Sequence, residues 1–341
     1  MEAQAASGAG VVAERTGTIA RLRLTRAKAL NALDLPMIRI LRARLDEWAD
    51  DPSVSVVILT GEGRAFCAGG DVRMVREQVL AGAFDAAEQF FIEEYALNGA
   101  IARFPKPYIS LIDGICMGGG LGVSVHGSHR IVTEAASLAM PETAIGLTPD
   151  IGASFFLPRL PGALGSYMAL TGAIMVGADA VHAGLATAFV PRGRLEALTA
   201  ALVAEGPAAL DRFVEPLPPF SLAPHRALID GAFSADSMAE IEARLEADGS
   251  GFAAETLATL RRMSPSALCW SLASLRAGAK RDLDACLAGE LRLVRRIIRL
   301  PDFAEGVRAM LVDKDRKPSW RPARLEDVDP RAIADLLRGV G

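Results

Sequence analysis

Residues Thr18 to Leu24, TIARLRL, alternate in polarity with a period of two, and Val54 to Thr60, VSVVILT, form a β-branched run that Gly61 ends. Between them Asp34 to Trp48 carries apolar residues at helical spacing, including Leu35, Ile38, Leu41, Leu45 and Trp48. This is the pattern of a strand, a helix and a strand in succession. It points to an α/β chain, in which sheet and helix alternate along the sequence.

The alternation continues downstream. Phe84 to Arg103 reads as a helix, Tyr108 to Ile112 as a buried strand stopped by Asp113 and Gly114, and Met117 to Gly122, MGGGLG, as a glycine cluster leading into a small-residue helix. Arg130 to Thr133 and Ser137 to Met140 are short strand candidates, and Glu142 to Phe156 is turn-rich, with Gly146, Pro149 and Gly152. The segment Val214 to Pro224, VEPLPPFSLAP, holds four prolines and no glycine and reads as a domain boundary. Beyond it, Ser237–Ala247, Ala253–Met263, Pro265–Leu275, Leu283–Leu300 and Phe303–Val312 are helical in pattern. The expected organisation is a core over 1–213 and a helical region over 225–341. In the helix from Leu283, Arg292, Arg295, Arg296 and Arg299 lie opposite an apolar face, as a solvated stripe would.

Length and charge narrow the function classes. The 341 residues make a little over two domain units at roughly 150 each. Lys+Arg number 37 against 41 Asp+Glu, for a net charge of −4, and 51% of residues are hydrophobic. Such a chain is neither disordered by composition nor polybasic, so nucleic acid and anionic membrane surfaces are not its expected partners. Mean hydropathy is +0.26, but the longest uncharged run, Leu160 to Ala178, contains Pro161, Gly162, Gly165, Gly172 and Gly177. It reads as buried soluble structure rather than a membrane span. Met1 to Val12 is small and polar, with an acidic Glu2 and no basic stretch, so no secretory signal is visible and a cytoplasmic location is expected. Oligomeric state is left open, a homo-oligomer included.

Cys67, Cys116, Cys269 and Cys286 are too few and too far apart for a disulfide framework or a zinc-binding pair, and read as reduced, packed thiols. His126 and His129 lie three apart in SVHGSHR, but no adjacent acid completes a zincin pattern and Gly127 lies between them, so no metal site is expected. Neither GxxxxGK[ST] nor GxSxG occurs, which removes phosphate-loop and nucleophile-elbow readings.

In two places glycine follows a strand and precedes a helix: AFCAGGD, Ala65 to Asp71, and MGGG, Met117 to Gly120. Backbone N–H groups at such positions can stabilise an anion or a developing oxyanion, although either loop alone is also what a tight turn requires. A polarised carbonyl still needs an acid, a base or a nucleophile. PETAIGLTPDIG supplies Glu142 and Asp150 eight residues apart among uncharged neighbours, where carboxylates gain raised pKa values or serve structurally as a first-turn acid and an N-cap.

These motifs together resemble the enoyl-CoA hydratase/isomerase (crotonase) superfamily: AFCAGGD, the GGG of GICMGGGLG, and PETAIGL followed by a proline. Within it, the strings FFIEEYALN, KPYISLIDGICMGGGLGVSVHG, AMPETAIGLTPDIGASFFLPRLPG, DFAEGVRAMLVDKDRKPSW and LNALD look like its 3-hydroxyisobutyryl-CoA hydrolase family. The likeness runs from about Thr18 to Val328.

That resemblance implies a crotonase-like spiral of ββα units with a C-terminal helical region, and an acyl-CoA thioester as substrate. It places an oxyanion hole on the N–H groups of Gly70 and Gly119, catalysis on Glu142 and its partner Asp150, and a substrate contact on Glu94. Lys28, Arg64, Ala65 and Ala68 match positions that contact CoA. The implied reaction hydrolyses 3-hydroxyisobutyryl-CoA or a related 3-hydroxyacyl-CoA, a step of valine degradation, with no metal or redox cofactor. Glu142 either attacks the carbonyl or activates water. A hydratase of the superfamily carries a further glutamate two residues after GGG, and here that position is Gly122. Ala153 and Ser154 stand where the hydrolase family favours glycines, implying an altered pocket shape and acyl preference. An enoyl-CoA isomerase using Glu142 alone and a non-catalytic acyl-CoA-binding protein are the rival readings.

Overall fold

A computed structural model describes residues 6–338. Backbone contacts divide the chain into two units, the first built from Met1–Gly70, Glu93–Leu138 and Met175–Ser221, the second from Asp71–Ile92, Ala139–Ile174 and Leu222–Gly341. The crossing between Ser221 and Leu222 falls inside the proline-rich stretch expected to separate 1–213 from 225–341. Two earlier excursions, 71–92 and 139–174, cluster with the C-terminal helices instead of the sheets.

Among the described residues, eleven strands lie in chain order at Ala6–Gly8 (β1), Val11–Thr16 (β2), Ile19–Leu24 (β3), Val56–Gly61 (β4), Ala65–Cys67 (β5), Tyr108–Ile112 (β6), Ile115–Met117 (β7), His129–Val132 (β8), Ser137–Ala139 (β9), Met175–Val176 (β10) and Ala188–Phe189 (β11). One sheet has the order β1-β2-β3-β4-β6-β8-β11 and the other β10-β9-β7-β5. From β3 onward the long sheet is parallel, Ile19 facing Val56 and Val57 facing Tyr108. A parallel pair needs a crossover, and the helix Leu35–Asp50 supplies it between β3 and β4. Asp34 caps that helix by accepting the Met37 N–H at 3.0 Å, a contribution of about 1 kcal/mol. Its expected apolar face is the buried one, with Met37, Ile38, Leu41, Leu45 and Trp48.

The central strands lose their alternation because both faces of the sheet are covered. Val56, Val57, Ile58 and Leu59 are all buried. On one face Ile58, Ile109, Leu111 and Ile131 pack with Leu198 and Leu202 of the helix Leu195–Glu205.

The second unit is helical. Met238–Asp248, Gly251–Leu260, Pro265–Gly278 and Leu283–Ile297 lie close to their expected spans. The last expected helix is instead Pro301–Val307 followed by a wider turn over Arg308–Val312. The uncharged run around 160–178 forms the helix Leu164–Thr171, buried on every side. Among the described residues, no helix is long and apolar enough to cross a membrane. The arginine stripe is solvated at Arg292 and Arg299, which are exposed, and also makes contacts: Arg295 and Arg299 both pair with Glu88, and Arg296 donates to the Leu336 carbonyl at 2.5 Å.

Candidate functional site

In the first unit the two glycine loops meet. After β5 the chain is tied to the segment that follows β3: the Ala68 N–H donates to the Leu30 carbonyl at 3.0 Å, and the Leu33 N–H donates to the Gly69 carbonyl at 2.8 Å. Leu30 and Asn31 make this possible by adopting left-handed backbone, with φ of 53° and 56°. Fully buried Asn31 then spans the site, its Nδ2 donating to the carbonyls of Glu62 at 2.9 Å and Ala65 at 2.8 Å. Sequence reasoning passed over Asn31, although its place in LNALD, between two predicted elements, marked a tight turn.

The second loop follows β7 and opens the short helix Gly119–Gly122. A Cβ on Gly119 would collide with Glu94 Oε1 and lie 3.1 Å from the Gly70 nitrogen. Gly70, Gly119 and Glu94 therefore share one spot, and the backbone N–H groups of the two glycines are not shielded by side chains of their own. Adjacent acids on the helix Phe84–Ala102 part company there. Glu93 takes a bidentate pair from Arg39 at 2.7 Å, while Glu94 is buried. Burial, with the Glu94 charge adding to it, pushes the neighbouring Cys67 thiol up to about 12, so it stays protonated at neutral pH. Cys116, in register with Cys67 on β7, is likewise buried, and burial raises its thiol pKa too.

The expected CoA contacts are spread around this loop. Lys28, in the turn Ala27–Ala29, and Arg64 are exposed. Ala65 is buried with its carbonyl held by Asn31, and the Ala68 N–H is spent on Leu30. Of these four, the two exposed cations carry the charge that complements a polyanionic ligand.

In the second unit Glu142 and Asp150 lie on one turn-rich stretch, each only 5% exposed. Glu142 starts a single turn over Glu142–Ile145, after Pro141, and its carbonyl accepts the Leu147 N–H at 3.0 Å. The next residue, Thr143, receives the Ser264 N–H on its carbonyl at 3.2 Å. The Ser264 hydroxyl in turn donates to Asp302 at 2.6 Å, so the Glu142 turn rests on the start of the helix Pro265–Gly278.

Asp150 is followed by two left-handed residues, Ile151 at φ 56° and Gly152 at φ 85°. A β-branched side chain in that region costs about 1–2 kcal/mol and needs an external restraint. Glu290 supplies one. Its fully buried carboxyl accepts the Gly152 N–H at 2.6 Å, the Ser154 N–H at 2.8 Å and the Ser154 hydroxyl at 2.5 Å. Burial pushes Glu290 up to about 8, with the Asp150 charge adding, against hydrogen bonds from Ser154 and Gly152 that lower it. Ser154, expected to alter the pocket shape, thus has a definite partner. Glu290 was missed in the sequence, yet it sits on the apolar face of its helix with Cys286, Leu287, Leu293 and Val294.

Comparison with known proteins follows the same lines. A model of the enoyl-CoA hydratase/isomerase family matches residues 19–337. The mitochondrial 3-hydroxyisobutyryl-CoA hydrolase of Xenopus tropicalis is 44% identical over 340 residues, covering 96% of this chain and 88% of its own. The protein of the same name from Homo sapiens is 42% identical, with 97% of this chain and 89% of its own covered. Among solved structures, a carnitinyl-CoA dehydratase from Mycobacterium thermoresistibile superposes with a TM-score of 0.93 at 40% identity, covering 97% of this chain and 96% of that one.

Proposed function

The chain belongs to the enoyl-CoA hydratase/isomerase family and shares its fold, and from that premise we propose that it is a thioester hydrolase acting on 3-hydroxyisobutyryl-CoA or a close 3-hydroxyacyl-CoA. The relatives above carry that name, whereas the solved neighbour is a dehydratase. Position 122 favours the hydrolase. The second acid that hydration chemistry in this superfamily uses is replaced by a buried glycine, leaving Glu142 with Asp150 as the reacting carboxylates.

In this reading the N–H groups of Gly70 and Gly119 stabilise the oxyanion, and Glu94 binds the 3-hydroxyl. Glu142 attacks the carbonyl or activates water, and Asp150 assists in positioning or proton transfer. The C–S bond breaks, a water oxygen ends on the acyl carbon, and CoA leaves as the thiol. No oxidation state changes, so the reaction uses no redox cofactor, and no metal is required. Lys28 and Arg64 face the CoA phosphates. A cytoplasmic location is proposed, against relatives named mitochondrial; subcellular fractionation separates the two.

Thiol release from 3-hydroxyisobutyryl-CoA tests the assignment. Wild-type protein turns the substrate over, EDTA leaves the rate unchanged, and Glu142→Gln lowers kcat by roughly 10²–10⁴-fold without unfolding. Isomerisation of an unsaturated acyl-CoA without thiol release overturns the reading in favour of an isomerase. Tight CoA binding with no turnover over a thioester panel overturns it in favour of a binding protein.

A further inference from the structure

Glu290 is a fully buried carboxyl that none of the proposed roles uses. It lies 138 residues from Gly152 in the sequence, and its side-chain hydrogen bonds go to the turn that carries Asp150. Oε2 takes the Gly152 N–H, and Oε1 takes both the N–H and the hydroxyl of Ser154. The two residues between Asp150 and Ala153 are those in left-handed backbone, and the Ala153 N–H closes the turn on the Asp150 carbonyl at 2.8 Å. The donors on the far side of the turn therefore have one common acceptor.

We propose that Glu290 is a positioning residue for Asp150: its carboxyl holds the left-handed turn at Ile151 and Gly152 in the one conformation that sets Asp150 for the reaction. The inference rests on the catalytic reading of Asp150 given above. A glutamine in this place is a poor substitute. One of its two terminal atoms is an NH₂ group, which would face a backbone N–H of Gly152 or Ser154 and leave that donor unpaired.

The test is a double-mutant cycle on thiol release from 3-hydroxyisobutyryl-CoA with Glu290→Gln, Asp150→Asn and the double variant, each checked for a cooperative melt. Glu290→Gln is expected to lower kcat about 10–100-fold with KM changed less than about threefold, and to cost less than about twofold when Asp150 is already asparagine. Equal losses in both backgrounds, or a wild-type kcat in Glu290→Gln, overturn the proposal. Should Glu290→Gln fail to fold, Ser154→Ala removes one donor without touching the carboxyl. It is then expected to lower kcat about three- to tenfold in wild type and not in Asp150→Asn, and the absence of that difference overturns the proposal. A wild-type protein that releases no thiol instead refutes the hydrolase reading itself.

Discussion

Gly119 and Glu94 are so close that a side chain fits on Gly119 only if Glu94 moves: a Cβ there would run into Glu94 Oε1 while lying 3.1 Å from the Gly70 nitrogen. Gly119→Ala must therefore displace a buried carboxylate and cover the Gly70 N–H at once. We expect kcat/KM for thiol release to fall at least about 100-fold, the size of losing one oxyanion donor, with a native circular dichroism spectrum. Activity within tenfold of wild type would show that the two glycines do not form the oxyanion site.

Asn31 holds the same loop from behind. Asn31→Ala deletes two hydrogen bonds to buried carbonyls, of Glu62 and Ala65, and leaves an alanine at φ 56°. The expected loss is about 2–4 kcal/mol in urea unfolding, with activity falling as the Ala65–Gly70 loop loosens. Asn31→Asp should behave the same way, since a carboxylate cannot donate to either carbonyl. A loss below about 1 kcal/mol in both variants would place the loop's support elsewhere.

Much of this architecture could be read from the residues. The strand, helix, strand succession that β3 and β4 bracket followed from two strand patterns with a helix between them, and the glycine loops from AGG and GGG after strands. What escaped has a common cause. Strands β5 and β7 have three residues each and β10 two, fewer than a period needs to show. Asn31 and Glu290 act on backbone groups 31 to 138 residues away, and a side chain paired to distant backbone leaves no local pattern. The return of 139–174 to the C-terminal helices has the same character. Composition there is as apolar as in the sheet unit, and only long-range contacts tell the two apart.

Asp302 tests whether the Glu142 turn depends on its helical support. Its two carboxyl oxygens accept the Ser264 hydroxyl at 2.6 Å and the Arg321 N–H at 2.8 Å, and burial raises its pKa. Asp302→Asn retains one acceptor and turns an NH₂ toward the other donor, which should cost about 1–3 kcal/mol. Because Ser264 also donates to the Thr143 carbonyl, kcat should drop several-fold in folded protein. Unchanged kcat at reduced stability would confine Asp302 to a structural part.

Glu290 makes stability depend on pH in a direction opposite to most carboxylates. In the folded chain it keeps its proton up to about 8, whereas a glutamate in the unfolded chain releases its proton at about 4.3. Between those values the folded state binds more protons, so stability falls as pH rises and the loss is complete above about 8. The carboxylates with lowered pKa, including Asp51, Glu205, Asp248, Glu305 and Asp315, lose their stabilising contribution only in acid, below this window. Burial lowers the pKa of His129, which tilts the curve the other way near neutrality. Asp150 and Cys286 are the titratable groups coupled to Glu290 itself. Melting temperatures of wild type and Glu290→Gln from pH 5 to 8.5 isolate the effect, because the other groups are common to both. The wild-type curve should descend more steeply toward alkaline pH than that of the variant; parallel curves would mean that Glu290 is already ionised at pH 5 in the folded protein.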